Sequence, residues 1–353
     1  MSIDAIKDTT PAVETSETAE KPLITCEASA LLERDEEEKA SKHSLKKGEA
    51  ELPAETTLPD SDVDVTSVRR QSCKTTNAWQ SMDEAVVGLS HRDVYPVLPC
   101  QDAAYAVHHP RPAVIVADGA GSSSVSEIGA DAVAKGLGRL LKTLESPLAE
   151  LLDHSGNEAD IRQFALLLVK HARGLLEDLA LQHRRPVKDF RCTLLVAITG
   201  KENVLWLKVG DGVLVAERIY PAPSCDSGEA EKVSLQPERV TLGEMGKGEF
   251  ANQTTFVDES LMPDEVQSGL ISAKGLSGLV AISDGAAEKL VANDGSCISQ
   301  RISVWLEALR HEKLKRRVLT KAFYSEDFNA GTTGDDRSIA LVSCGVVPEI
   351  SVT

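Results

Sequence analysis

The stretch Ala113-Val114-Ile115-Val116-Ala117-Asp118-Gly119-Ala120-Gly121-Ser122-Ser123-Ser124 decides how the rest of the chain is read. Its first five residues, all apolar and closed by Asp-Gly, fit a short buried strand. A loop of small residues follows. Beyond it, residues 126–144 place Ile128, Ala132, Leu137, Leu140, Leu141 and Leu144 at helical spacing, with Ser124 or Ser126 as the expected cap. The segment therefore predicts a strand that passes through a small-residue turn into a helix start. Small residues let a ligand approach the backbone, and a helix N-terminus favours anions. Asp-Gly alone is a favoured turn pair, so a single copy says little about chemistry.

On the N-terminal side, residues 86–89 and 103–107 predict short strands. On the C-terminal side, residues 159–182 predict a second helix, with Ile161, Phe164, Leu168, Leu175 and Leu179 at helical spacing. Strands are expected at 193–199, 204–209 and 213–218. A loop-rich stretch over 220–270, containing Pro221 and Pro223, suggests a surface insertion or lid. A strand at 278–283, one or two helices over 298–323 and a last strand at 338–347 complete the pattern. Strands, a helical pair, more strands and another helical pair fit an α+β fold, a layered β-sandwich covered by helices. Trp79, Trp206 and Trp305 are expected in the core.

Residues 1–76 differ in texture. They carry an acidic cluster at 33–38 and no sustained apolar periodicity, so they are expected to be disordered and separate from a domain spanning 77–353. Arg69-Arg70-Gln71-Ser72 resembles a kinase site but reads most simply as exposed linker. A formal net charge of -17 argues against nucleic acid or an anionic membrane surface as main partner. A metal site can use that acidity, because hard divalent cations seek carboxylate oxygens. Seven scattered cysteines without a Cys-x-x-Cys pair fit a reducing compartment and no structural zinc. Cys100 and Cys192 read as buried packing. No apolar stretch reaches the length of a signal peptide or a membrane span, so a soluble, cytoplasmic protein is expected.

Aspartates recur where these strands end. Asp102 precedes the strand at 103–107, Asp118-Gly119 ends the strand at 113–117, and Asp211-Gly212 joins two strands. Asp284-Gly285 ends the strand at 279–283, and Asp335-Asp336 precedes the final one. Each carboxylate stands where an apolar strand meets solvent, the place from which a rigid scaffold can aim it into a cleft.

The ordered series GLSH (88–91), PCQDA (99–103), VADGAGS (116–122), CTLL (192–195), VGDG (209–212), ISDG (282–285) and DDRS (335–338) resembles the metal-dependent Ser/Thr protein phosphatases of the type 2C class, most closely a compact bacterial branch. The resemblance spans 79–347. It implies a four-layer αββα arrangement, two antiparallel sheets flanked by helix pairs, with two Mn2+ or Mg2+ ions at one end. By motif position, Asp102, Asp118, Asp284 and Asp335 would supply carboxylates and Gly119 its backbone carbonyl. Asp211 with Asp284 would hold a weaker third ion. Asp336 takes the following motif position, usually Asn. The implied partner is a phosphorylated protein.

The chemistry of the residues agrees, since oxygen-only ligands suit Mg2+ or Mn2+ and not zinc. Two such ions roughly 4 Å apart activate a water for in-line attack on phosphorus. Two departures stand out. Ala120 occupies the position where many members carry a candidate acid His. Tyr95-Pro96-Val97-Leu98 occupies the neighbourhood where many carry a phosphate-clamping Arg. His91 and Arg92, a little upstream, are the candidate replacements. Residues 248–256 correspond to the variable flap of the class. Two rival readings follow from the departures and from the chemistry: the same fold kept as a binding module without catalysis, or a hydrolase of a small phosphorylated metabolite.

Overall fold

The computed structural model describes residues 79–154, 156–221, 235–245 and 254–345. In chain order the described elements are β1 (Trp79–Val86), α1 (Leu89–Arg92), β2 (Asp102–Val107), β3 (Ala113–Asp118), α2 (Ser126–Thr143), α3 (Glu145–Leu152) and α4 (Glu158–His183). Then come β4 (Leu194–Thr199), β5 (Asn203–Val209), β6 (Val213–Pro221), β7 (Leu235–Leu242), β8 (Gln267–Ser272) and β9 (Leu276–Ile282). The last are α5 (Asp284–Leu290), α6 (Gln300–Arg310), α7 (Arg316–Phe323), α8 (Glu326–Asn329) and β10 (Arg337–Cys344).

The strands form two sheets, ordered β1-β10-β9-β6-β7 and β2-β3-β4-β5-β8, with every neighbouring pair antiparallel. Alternate residues of the central strands serve two cores. Val114 and Val116 of β3 face Leu279, Ala340 and Val342 of the other sheet. Ala113, Ile115 and Ala117 pack instead under Val133 and Leu137 of α2 and Leu168 of α4. On the opposite side, Val280, Ile282, Ile339 and Leu341 pack against Trp305 and Leu306 of α6 and Phe323 of α7. The result is four layers, αββα. Burial on both faces is why these strands are continuous apolar runs, each large side chain contributing about 1.5–3 kcal/mol.

The same alternation aims the chemistry. Asp118 shares the parity of Val114 and Val116, and Asp102, its ladder partner in β2, shares that of Ala104 and Ala106. Both carboxylates therefore emerge between the sheets, at one end of the sandwich.

Several elements depart from expectation. The strand expected at 86–89 is β1, at Trp79–Val86, after which the chain turns into α1. Within the stretch read as loop, β7 and β8 are strands. These three are edge strands carrying polar residues such as Asp83, Glu84, Glu238 and Arg239, so a search for apolar runs passes over them. The helix α3 is also additional; its Pro147 falls in the first turn, where the missing N–H costs nothing. Neither serine caps α2. Val125 stands at the N-cap position, and Ser126 is a buried first-turn residue. Trp305 is buried, while Trp79 and Trp206 are half-buried against the inter-sheet core. Residues 1–76, with the Arg69–Ser72 motif, lie outside the described residues, as do 222–234 and 246–253 of the expected insertion. Among the described residues no helix is long and apolar enough to cross a membrane.

Candidate metal centre

At the end of the sandwich where β3, β5 and β9 terminate lies a cavity of about 330 Å³, lined in part by Asp118, Gly119, Asp211, Asp284, Asp335 and Asp336. Local backbone chemistry fixes each. The Asp118 N–H donates to Thr193 Oγ1 (3.0 Å), and the Thr193 N–H donates to the Asp118 carbonyl (2.7 Å). Gly119 is required where it stands, because a Cβ there would come within 2.7 Å of the Ser126 Cβ and 2.8 Å of the Gln101 carbonyl. Asp284 and Asp335 each accept from the following backbone N–H, Gly285 at 2.7 Å and Asp336 at 2.8 Å. Asp211 Oδ2 accepts from the Thr254 hydroxyl at 2.9 Å.

Asp102 does not line the cavity but lies buried beneath it, and neither of its carboxylate oxygens has a hydrogen-bond partner. Burial, and then the charges of Asp336 and Asp284, push its pKa up to about 8. The Ser283 and Ser338 hydroxyls temper this without reaching hydrogen-bond geometry to it. Asp118 is held well above the usual carboxylate range by burial and by the neighbouring Asp102 and Asp284 charges. Asp284 is raised by burial and by Asp211. Crowded carboxylates of this kind are stable only with a shared proton or a cation among them.

The donor set fits hard divalent cations: all oxygens, with one buried carboxylate without a partner and Gly119 among the cavity-lining residues. Among the described residues no three acidic, His or Cys side chains converge to hold one ion as they stand. Water would therefore complete the coordination sphere, a mode natural to Mg2+ and Mn2+. Thiolate chemistry is disfavoured, since burial raises both the Cys100 and Cys192 thiols.

His91 lines the cavity, with Nδ1 3.0 Å from Asp336 Oδ2. Arg92 does not line it; its guanidinium stacks 5.0 Å over the Tyr324 ring, so as oriented it does not replace a phosphate clamp. Asp336 plays a part the sequence reading did not assign. Its Oδ1 accepts from Gly88 N–H (2.7 Å) and its Oδ2 from Gln101 N–H (2.6 Å), so the buried carboxylate ties both ends of the 88–101 loop. An Asp where the class usually has Asn was the only sequence signal, because each carboxylate oxygen faces one N–H, whereas an Asn would present its own NH2 donor to one of them. Thr193 and Thr254 were also missed as supports. Of the flap-like stretch 248–256, residues 248–253 lie outside the described residues, while Thr254 and Phe256 line the cavity.

A family description, "Protein phosphatase 2C", matches residues 87–322, which includes Asp102 to Asp284 but stops before Asp335. Serine/threonine-protein phosphatase 3 of Escherichia coli (strain K12) is 29% identical over 189 residues, covering 52% of this chain and 64% of that protein. This chain thus spans just under two-thirds of that relative's length. Among solved structures, the catalytic domain of the protein phosphatase PstP, in complex with two manganese ions, matches at 13% identity and TM-score 0.47, over 76% of this chain and 98% of that one. The S. agalactiae serine/threonine phosphatase matches at 16% identity and TM-score 0.46, over 75% and 99%. With the family description covering residues 87–322, the chain belongs to the protein phosphatase 2C family.

Proposed function

We propose that the protein is a Mn2+- or Mg2+-dependent phosphatase that hydrolyses phosphoserine and phosphothreonine on proteins. The observation that carries the reading is Asp102, a buried carboxylate with no hydrogen-bond partner, set across the β2–β3 ladder from Asp118 of a cavity lined by further carboxylates. Holding these groups together without a cation is costly, and a fold kept only for binding has no use for that cost.

In the proposed assignment Asp102, Asp118, Asp284 and Asp335 hold two ions together with the Gly119 carbonyl, and Asp211 with Asp284 holds a weaker third. When bound, the ions supply a water nucleophile at neutral pH and neutralise the charge on the phosphoryl group. Thr193 keeps Asp118 in place through two backbone hydrogen bonds, and the abutting 284–285 and 335–336 turns fix the other two carboxylates. His91, whose Nδ1 lies 3.0 Å from Asp336 Oδ2 without a hydrogen bond to it, is the candidate proton donor to the departing alkoxide. Arg92, stacked over Tyr324, would have to turn to contact a phosphate. Hydrolysis of para-nitrophenyl phosphate that disappears in EDTA and returns with Mn2+, alongside release of phosphate from phosphothreonine peptides, tests the assignment. Turnover of phosphorylated metabolites with none of peptides would favour the metabolite reading instead.

A further inference from the structure

Of the large apolar side chains exposed among the described residues, most fall in one short stretch: Val94, Tyr95, Val97 and Leu98, with Tyr95 fully exposed. This stretch is the tip of the 88–101 loop, and the loop is firmly held. Both stems are tied to the two oxygens of Asp336, the Leu98 N–H donates to the His91 carbonyl (3.1 Å), and Ser90 bonds the Gly334 carbonyl through both its N–H and its hydroxyl (2.8 Å each). On the same loop, Ser90, His91 and Gln101 line the carboxylate cavity. A loop with pinned ends, an apolar tip and a shoulder in the cavity has the build of a recognition loop. Such a patch does not survive on a soluble surface without a reason. Asp93 is the one charged residue within the tip, whose remaining exposed side chains, Val94, Tyr95, Val97 and Leu98 among them, are apolar.

We infer that the 93–98 tip is a docking platform for the protein substrate, gripping aliphatic or aromatic residues that flank the phosphoserine or phosphothreonine. The inference rests on the phosphatase reading above and adds the substrate class: apolar-flanked sites, not acidic or basic ones. It also favours a protein substrate over a small metabolite, because a peptide extends from the cavity along the loop that lines it.

The test uses the full chain with Mn2+. Two phosphothreonine peptides are compared, one with Leu and Phe within two residues of the phosphate and one with Ser and Gly there, for wild type and for Tyr95→Ser/Val97→Ser. Para-nitrophenyl phosphate serves as a substrate with no flanking residues for the tip to grip. Wild type should favour the apolar-flanked peptide by about tenfold in kcat/KM, mostly through KM. The double variant should lose that preference while hydrolysing para-nitrophenyl phosphate as wild type does. Equal use of both peptides by wild type, or an unchanged preference in the variant, overturns the inference and leaves the phosphatase reading intact. So does sedimentation showing that wild type dimerises and the variant does not, since a second copy would then cover the tip. No hydrolysis of para-nitrophenyl phosphate by wild type overturns the phosphatase reading and the inference together.

Discussion

Asp335 and Asp336 are chemically alike and adjacent, yet their surroundings give them different tasks. Asp335 is proposed as a metal ligand, whereas Asp336 is buried with both oxygens occupied by backbone N–H groups. Asp335→Ala should therefore weaken Mn2+ binding and reduce turnover by orders of magnitude while leaving the melting temperature of the metal-free protein nearly unchanged. Asp336→Ala should cost about 3 kcal/mol of stability, because two charge-assisted bonds are lost and two buried donors are orphaned. Calorimetric melting and Mn2+ titration on the pair separate the roles; equal losses of affinity without loss of stability would assign Asp336 to the metal instead. Sequence pattern reached the carboxylates because each stands at the start or the end of a strand. It did not reach Asp336's grip on Gly88 and Gln101, because that contact joins residues far apart in the chain. Nor could it see that Arg92 turns away onto Tyr324.

At the level of elements, the site depends on turns pressed against each other without room for side chains. A Cβ on Gly88 would come within 2.2 Å of the Asp335 carbonyl, and one on Gly285 within 2.2 Å of the Asp336 carbonyl. Gly88→Ala and Gly285→Ala should thus shift the 335–336 turn and lower turnover at least tenfold with every ligand still present. Mn2+ affinity should fall in parallel, and unchanged affinity and turnover would mean the turns are not coupled. The remote end of the β2–β4 sheet is held differently. Arg111, buried, is shared between Asp153 at 2.7 Å and the more exposed Glu145 at 2.9 Å. Asp153→Ala should cost about 2–3 kcal/mol by leaving the guanidinium with the more exposed Glu145 and a long contact to the Thr199 carbonyl, without changing turnover. The Arg111 hydrogen bond is the chief reason the Asp153 pKa lies below its usual value, so the pair stabilises the fold above pH about 4. That contribution is lost as pH falls through the lowered pKa. A melting curve across pH 2–5 for wild type and variant should converge at the acid end. The central strands were legible because burial on both faces makes them apolar runs. Edge strands β1, β7 and β8, half polar, were not.

At the scale of the whole molecule, the order of elements already implied helices covering a β-sandwich, and the motif series supplied the number of layers. What the sequence could not supply is how the loops meet at one end, where Asp102 lies under a cavity and the apolar 93–98 tip stands beside it. This acidic end is proposed to be a divalent-cation site built for phosphoryl hydrolysis. Its most direct test is isothermal titration of Mn2+ into EDTA-stripped, dialysed protein at pH 7.5, for wild type and Asp102→Asn, with para-nitrophenyl phosphate turnover followed on the same samples. At least two ions should bind per wild-type chain, protons should be released on binding because carboxyls with raised pKa must ionise, and hydrolysis should appear as the sites fill. Asp102→Asn should lose both the tight binding and the hydrolysis. Wild-type protein that binds no Mn2+, or hydrolyses the substrate equally well in EDTA, would contradict it.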